Sequence, residues 1–181
     1  NHNAENAAAA GLVLHCLGLD SDQINQSIAS FSGLPHRLQT VAKIGPISFV
    51  NDSKATNGTA AATAIAAFSH IYWIAGGLAK EDGIDAVMPH IGNVKKAYLI
   101  GNSAAAFAKT LRGRCHSDIY DNLYDATRAA FDDAKDNGIG GTVLLAPAAA
   151  SFDQFDDFCA RGDAFCQLAR QLCSQKGEAY A

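Results

Sequence analysis

The sequence predicts an α/β fold in which helices flank a mostly parallel sheet, with additional helices in front of it. Strand-like apolar runs alternate with helical runs from residue 47 onward. Helical connections of this kind join parallel strands through crossovers. The composition, with 49% hydrophobic and 18% charged residues, is typical of a globular chain with a sizeable core.

The first 33 residues predict two helices. Residues 3–17 are rich in alanine and contain three leucines, which favours a helix. A second helix is expected to begin at Asp20 or Ser21, because both residue types are good N-caps. Gly33 and Pro35 end this helix. We therefore expect a domain boundary here, with one piece over 1–33 and a second domain over 34–181.

The second domain is expected to open with two strands joined at Gly45-Pro46, within "LQTVAKIGPISFVND". Its later elements follow in alternation. The predicted elements are helix 58–68, strand 70–75, helix 84–90, strand 94–100, helix 103–112, strand 116–120, helix 122–137, strand 142–146 and helices over 151–175.

Charge and composition argue against several classes of function. The net charge of −4 does not favour nucleic-acid or membrane-surface partners, and no apolar run approaches the roughly 20 residues that span a bilayer. The start, "NHNAENAAAA", is unlike a signal peptide and is typical of a chain cut from a longer one. Five cysteines without a CxxC pair favour a reduced, cytoplasmic compartment.

Three predicted strands are followed by polar residues at their carboxyl ends. The segments are "NDSKATN" after "ISFV", "GGLAKEDG" after "IYWIA", and "APAAASFDQF" after "TVLL". Ligands of doubly wound sheets bind at this edge. Lysines, hydroxyls and helix N-termini together favour an anion.

Simpler interpretations exist for each of these residues. Capping of the following helix would by itself explain Thr56 or Asn57, and capping of the last helix would by itself explain Ser151. Lys54 and Lys80 could be ordinary solvated lysines. The joint occurrence of these residues at three strand ends favours the anion site.

Known nucleotide and metal motifs are missing from the sequence. There is no GxxxxGK[ST] phosphate loop and no HExxH or paired-cysteine metal site. "NGIGGTV" follows a helix and precedes a strand, which is the reverse of a dinucleotide fingerprint. Taken by itself, "GLPHR" would be a surface turn.

Five motifs in order give the chain a family resemblance. "NHNAEN", "GLPHR", "NDSKATN", "GGLAK" and "LAPAAASFDQFDDFCARGDAF" resemble the carboxyl-terminal part of Mur ligases, and within them the branch that adds D-glutamate. The resemblance covers essentially the whole chain. The "DNPR" motif of the branch that adds diaminopimelate or lysine is absent.

The resemblance implies an ATP-dependent acid–amino-acid ligase of peptidoglycan precursor synthesis, and so of cell-wall biogenesis, cell shape and division. Its substrates would be ATP, D-glutamate and UDP-N-acetylmuramoyl-L-alanine. Residues 1–33 would be the end of a central ATP-binding domain, which holds the phosphate loop and the magnesium ligands. Residues 34–181 would form a Rossmann-like domain that binds the amino acid. A cytoplasmic location is implied, and this fragment alone is expected to be inactive.

Residue roles also follow from the resemblance. Its nucleotide contacts are Asn3 and Asn6 on the adenine side, His36 and Arg37 between domains, and Asp52 at the ribose.

The implied amino-acid site comprises five residues. Lys54 and Thr56 match the amino-acid and product site, where Lys54 would also be catalytic. Lys80, Ser151 and Phe158 match the cradle for the D-glutamate carboxylates. Leu78 and Ala79 stand where relatives frequently have small or acidic residues, a departure that concerns the shape of this loop and not the role of Lys80.

Two other readings stay open on the sequence alone. One is a stand-alone Rossmann-like module that binds an anionic metabolite without catalysis. The other is the carboxyl-terminal part of a folylpolyglutamate synthetase-like ligase, against which "SFDQF" argues.

Overall fold

A computed structural model describes residues 2–174, with side chains from Glu5 onward. The chain divides into two compact units between Leu34 and Pro35. The first unit contains helices α1 (His2–Cys16) and α2 (Ser21–Ser30). Asp20 caps α2 in a capping box: its carboxylate accepts the Gln23 N–H, and the Gln23 side chain accepts the Asp20 N–H. The cap predicted at Asp20 or Ser21 is therefore at Asp20.

The second unit is built on a six-stranded sheet in the order β1-β2-β6-β3-β4-β5. Strand β1 pairs antiparallel with β2 through the turn at Gly45-Pro46, whereas β2, β6, β3, β4 and β5 are parallel neighbours. The strands are β1 (Gln39–Ile44), β2 (Ile47–Asn51), β3 (Ile71–Gly76), β4 (Val94–Ile100), β5 (Ser117–Ile119) and β6 (Gly141–Leu145).

Helices cover both faces of this sheet and bury two apolar clusters. They are α3 (Gly58–Ala66), a 3₁₀ helix (Asp85–Asn93), α4 (Ala104–Leu111), α5 (Leu123–Asp136) and α6 (Phe158–Ser174). On β3, Trp73 belongs to the cluster with α3, the 3₁₀ helix and α4, and Ile74 belongs to the cluster with α5 and α6. Successive strand residues thus serve opposite layers. The predicted α/β, Rossmann-like fold with a mostly parallel sheet is confirmed.

Two predicted helices differ from the structure. Residues 85–93 form a 3₁₀ helix because Pro89 has no N–H for an α-helical bond to Asp85. Residues 151–157 form turns, and α6 begins only at Phe158. Gln154 and Phe155 both donate their N–H groups to Ser151 O, so one turn forms and is not continued.

Membrane and redox predictions can also be compared with the fold. Among the described residues, no helix combines the length and apolar character required to cross a bilayer. The five cysteines, all in the described part, form no disulfide bond. Cys166 and Cys173 are buried on α6, and Cys159 is partly buried.

Candidate functional site

The carboxyl ends of β2, β6 and β3 lie side by side at one edge of the sheet, because these three strands are parallel neighbours. Three loops leave this edge: 52–57 after β2, 77–84 after β3, and 146–157 after β6. We call these three loops, together with the first turn of α6, the carboxyl-end site. It contains most of the candidate residues predicted from the sequence.

Backbone hydrogen bonds join the loops after β3 and β6. Leu78 N donates to Ala150 O at 2.8 Å, and Ala150 N donates to Leu78 O at 2.9 Å, which makes an isolated antiparallel bridge. Gly76 N donates to Pro147 O at 2.8 Å. A Cβ at Gly77, whose φ is +130°, would overlap Ala150 O. Glycine is thus required here by the contact between two loops.

The loop after β2 presents its side chains to different partners. Asn57, not Thr56, caps α3: Asn57 Oδ1 accepts the Ala60 N–H at 2.9 Å. Thr56 is half-buried, and no hydrogen bond of its hydroxyl occurs within the described part of the chain. The capping interpretation therefore applies to Asn57, and Thr56 remains available to a ligand.

Lys54, Phe158 and His36 come together at the start of α6. The Lys54 ammonium lies 4.0 Å from the centroid of the Phe158 ring, a cation–π contact. The His36 ring meets Phe158 edge-on, with centroids 6.1 Å apart. Lys54 N also donates to His36 O at 3.1 Å. Phe158 thus lies between a residue predicted for the amino acid and one predicted for the nucleotide.

The buried ring of His36 has a defined orientation. Asn51 Oδ1 accepts the Ser53 N–H at 3.0 Å, so the Asn51 amide nitrogen faces His36 Nδ1 at 3.0 Å and donates to it. The neutral ring then has its proton on Nε2, which lies 3.8 Å from Asp163 Oδ1. A Cβ at Gly162 would overlap the His36 ring, so glycine is required there.

Asp52 and Arg37 are neighbours with different exposure. Asp52 is 8% exposed and accepts the Leu38 N–H at 3.2 Å, whereas Arg37 is exposed. Burial raises the pKa of Asp52 to about 6, although the Leu38 hydrogen bond and the charge of Arg37 lower it. A carboxylate kept in this environment is an acceptor suited to hydroxyl groups of a ligand.

Lys80 and Ser151 lie on the two bridged loops. Lys80 is exposed, and Ser151 is 2% exposed. Ser151 does not cap α6, because Asp157 Oδ1 accepts the Ala160 N–H at that helix start. Within residues 5–174, the Ser151 hydroxyl has no hydrogen-bond partner. The capping interpretation of Ser151 is therefore wrong.

Arg161 is a residue of this site that the sequence analysis did not single out. It is 1% exposed, and its guanidinium donates hydrogen bonds to oxygens of Ser53, Gly76 and Ala149. The motif "RGDAF" contains it, but the amino-acid sequence does not distinguish a buried arginine from a solvated one. The only signal was its place one turn after Phe158.

Asn3 and Asn6 belong to the first unit. Both are in α1, where Asn6 is exposed, and the side chain of Asn3 lies outside the described residues. Within the described residues, no group of three His, Cys, Asp or Glu side chains could hold a metal ion.

The arrangement of the carboxyl-end site suits a small anion with more than one charged group. Lys54 and Lys80 supply two exposed ammonium groups, and Thr56 and Ser151 supply hydroxyls without protein partners among the described residues. Such groups donate charge-assisted or neutral hydrogen bonds to carboxylates. The site offers donors at several points and nothing that resembles a nucleophile with an adjacent base.

A known protein-family model matches most of the second unit. A model described as "Mur ligase, glutamate ligase domain" matches residues 36–149. This range includes the loops after β2 and β3 and the start of the loop after β6.

Relatives match nearly the whole chain. A protein of Dinoroseobacter shibae named UDP-N-acetylmuramoylalanine–D-glutamate ligase is 51% identical over 172 residues, which are 94% of this chain and 36% of that protein. Proteins of the same name from Phenylobacterium zucineum and Rickettsia felis are 44% and 43% identical, over 98% and 96% of this chain and 38% and 39% of their own lengths. The chain thus spans well under half the length of these curated relatives.

Proposed function

Because the chain belongs to the Mur ligase family, we propose that it is the carboxyl-terminal part of a cytoplasmic ligase that joins D-glutamate to UDP-N-acetylmuramoyl-L-alanine. ATP would phosphorylate the terminal carboxylate of the UDP-sugar substrate. The amine of D-glutamate would then attack the acyl phosphate, forming the amide bond and releasing inorganic phosphate. The product is a peptidoglycan precursor.

One observation supports the role of this domain most directly: three adjacent strand ends bring two ammonium groups and two hydroxyls to one edge of the sheet. D-Glutamate has two carboxylates, which such donors can bind at separate points. Charge-assisted hydrogen bonds of this kind contribute about 1.5–3 kcal/mol each. In this proposal Lys80, Ser151 and Phe158 bind the amino acid, and Lys54 with Thr56 orients it for attack.

The nucleotide would be bound from the neighbouring side of the loop after β2. Asp52 would accept hydrogen bonds from the ribose hydroxyls, and His36 and Arg37 would contact the adenine and phosphates. Asn3 and Asn6 would contribute from α1. The packing of Phe158 between Lys54 and His36 supports a close approach of the two substrates. Residues up to about 33 would then be the end of a central ATP-binding domain.

The proposed function is tested with the full-length protein that contains this chain. Ligation is measured with ATP, UDP-N-acetylmuramoyl-L-alanine and D-glutamate, and the product is identified by mass spectrometry. L-Glutamate and D-aspartate serve as matched amino acids with the wrong stereochemistry or length. A product that gains the mass of D-glutamate, formed only with ATP, supports the proposal. Binding of D-glutamate without ATP consumption would instead support an anion-binding module.

The 181-residue chain by itself should not form the amide bond. It lacks a phosphate loop, and positioning of the phosphoryl group provides most of the catalysis in such transfers. Phosphate release that depends on ATP and D-glutamate is measured for the chain and for the full-length protein at equal concentration. Release by the chain above the enzyme-free background would contradict this prediction.

A further inference from the structure

Arg161 is a buried cation whose hydrogen-bond partners lie on two loops of the carboxyl-end site and on the last residue of the strand before the third loop. Its Nε donates to Ser53 Oγ at 3.0 Å. Its Nη2 donates to Ser53 O and to Ala149 O, each at 3.0 Å. Its Nη1 donates to Gly76 O at 3.5 Å. One guanidinium therefore contacts the loops after β2 and β6 and the end of β3.

This set of contacts requires the shape of an arginine side chain. A guanidinium is planar and directs five N–H donors at fixed angles, whereas a lysine ammonium is a single point donor. All four acceptors of Arg161 are neutral oxygens. Burial lowers the pKa of Arg161 to about 10, against a longer-range attraction to Asp153, and the group stays charged at neutral pH.

Each contacted loop leads directly to a residue of the proposed amino-acid site. Ser53 precedes Lys54, Ala149 lies two residues before Ser151, and Gly76 is the last residue of β3, directly before the loop that contains Lys80. Ser53 Oγ also donates to Phe158 O at 2.8 Å, which links the same guanidinium to the start of α6. The residues that would bind one D-glutamate molecule are thus on segments joined at a single buried group.

We propose that Arg161 is a positioning residue for the amino-acid substrate, which it does not touch: it fixes the three loops relative to one another so that Lys54, Lys80 and Ser151 reach the same ligand. This inference rests on the proposed function for the identity of the ligand. The arrangement of the loops by Arg161 is independent of that identity. A role limited to stability would lower the amount of folded protein and leave substrate affinities unchanged.

The test compares Arg161→Lys with Arg170→Lys in the full-length protein. Arg170 is exposed on the same helix, so its substitution is the matched control. Lysine at position 161 retains the positive charge and removes the planar guanidinium group with its fixed N–H donors. Hydrogen–deuterium exchange is measured for the backbone of 52–57, 76–82 and 147–152, and we expect it to be about fivefold or more faster in all three segments of Arg161→Lys, because their shared contact is lost.

Kinetics provide the second measurement on the same variants. We expect the KM for D-glutamate to rise about 10- to 100-fold in Arg161→Lys, while the KM for ATP changes less than about threefold. Unchanged exchange in the three loops would overturn the inference, and so would an unchanged KM for D-glutamate beside a lowered unfolding midpoint. If the wild-type protein does not use D-glutamate, the proposed function fails, and the exchange measurement alone decides whether Arg161 fixes the loops.

Ser53→Ala is a milder second variant in case Arg161→Lys does not fold. It removes the Oγ that accepts from Arg161 and donates to Phe158, and it leaves the backbone acceptor in place. We expect the same pattern with a smaller rise, about threefold to tenfold, in the KM for D-glutamate. A Ser53→Ala protein with wild-type exchange and wild-type KM would overturn the inference.

Discussion

In the cluster of Lys96, Tyr98, Asp118 and Asp133, opposite charges are in contact, whereas the cations of the carboxyl-end site meet an aromatic ring and neutral oxygens. Lys96 Nζ lies 2.9 Å from Asp118 and 2.8 Å from Asp133, and the Tyr98 hydroxyl donates to Asp133 at 2.6 Å. At the other end of the strands, Lys54 lies over Phe158 and Arg161 bonds to Ser53, Gly76 and Ala149.

The pKa directions follow from this difference. Although burial opposes both shifts, the mutual hydrogen bonds raise the pKa of Lys96 and lower the pKa of Asp133. Each partner therefore stabilises the other's charge. At Asp52 burial dominates and raises the pKa to about 6. A cluster whose opposite charges pair with one another stabilises the fold, and a region whose charges lack such a partner is suited to a ligand that supplies the opposite charge.

The largest expected effect is the loss of a cation from the carboxyl-end site. In the full-length protein, Lys80→Ala should lower kcat/KM for D-glutamate by about 30- to 1000-fold, which corresponds to roughly 2–4 kcal/mol. The KM for ATP should change only a few-fold. Lys95→Ala is the control, because Lys95 is also exposed and lies on β4, away from the three loops. Steady-state kinetics with each substrate varied in turn decide the matter, and intact D-glutamate kinetics would show that Lys80 is merely solvated.

The second effect reverses the usual sign of a carboxylate's contribution. The pKa of Asp52 is about 6 in the folded protein against an ordinary 3.8. The contribution of Asp52 to the free energy of unfolding is therefore fully present below pH 3.8 and is lost as the pH rises through 6. Asp52→Asn should therefore raise the free energy of unfolding by about 3 kcal/mol at pH 8 and change it little at pH 4. Urea denaturation at both pH values measures this.

The same Asp52→Asn protein should raise the KM for ATP, because it removes the acceptor proposed for the ribose. Asp156→Asn, at an exposed position, is the control for both measurements. Equal stability of wild type and Asp52→Asn across this pH range would mean that ionisation of the buried Asp52 carboxylate does not destabilise the fold. The contrast with Asp133 would then be wrong.

A smaller effect is expected from a hydroxyl. Ser151→Ala should lower kcat/KM for D-glutamate about tenfold, the value of one hydrogen bond to a charged group. The free energy of unfolding should stay the same, since Ser151 does not cap α6. Ser103→Ala removes another buried hydroxyl, one without a partner among the described residues, and serves as the control. A loss of stability without a loss of D-glutamate affinity would mean that Ser151 stabilises the fold and does not bind the amino acid.

The smallest effect should come from the cluster of paired charges around Lys96. Asp133→Asn should lower the free energy of unfolding by about 1 kcal/mol at pH 7, a value discounted because the Asp133 side chain is 41% exposed. This contribution is present above 3.8 and is lost as the pH falls through the depressed folded pKa. Activity per folded molecule should not change. A selective rise in the KM for D-glutamate would show that Asp133 affects the amino-acid substrate as well as the fold, which would contradict the contrast between the two regions.

Most of the fold could be predicted from the sequence because each strand is a short apolar run between turn or helix signals. The runs 94–100 and 142–146 are close to β4 and β6. The failures have local causes: Pro89 prevents an α-helix, and the polar residues after Ser151 favour isolated turns. The order of the strands, with β6 between β2 and β3, is a tertiary property that no local pattern contains.

The candidate site could be predicted in part. Strand ends of a parallel sheet meet at one edge, so the grouping of the three loops followed from the predicted topology. The roles of individual residues in binding remain predictions. The sequence could not distinguish Thr56 from Asn57 as the cap of α3, and it could not identify Arg161, because burial of a charged side chain depends on acceptors that are distant along the chain.

The bridge between Leu78 and Ala150 makes the shape of one loop independent of side-chain identity. Both of its hydrogen bonds join main-chain atoms, and residue Leu78 is 38% exposed. Substitutions at 78 can therefore accumulate without moving the loop that presents Lys80. For directed evolution of amino-acid specificity, a library at position 78 can vary size and charge two residues from Lys80 of the proposed amino-acid site, while the main-chain hydrogen bonds of the loop stay the same.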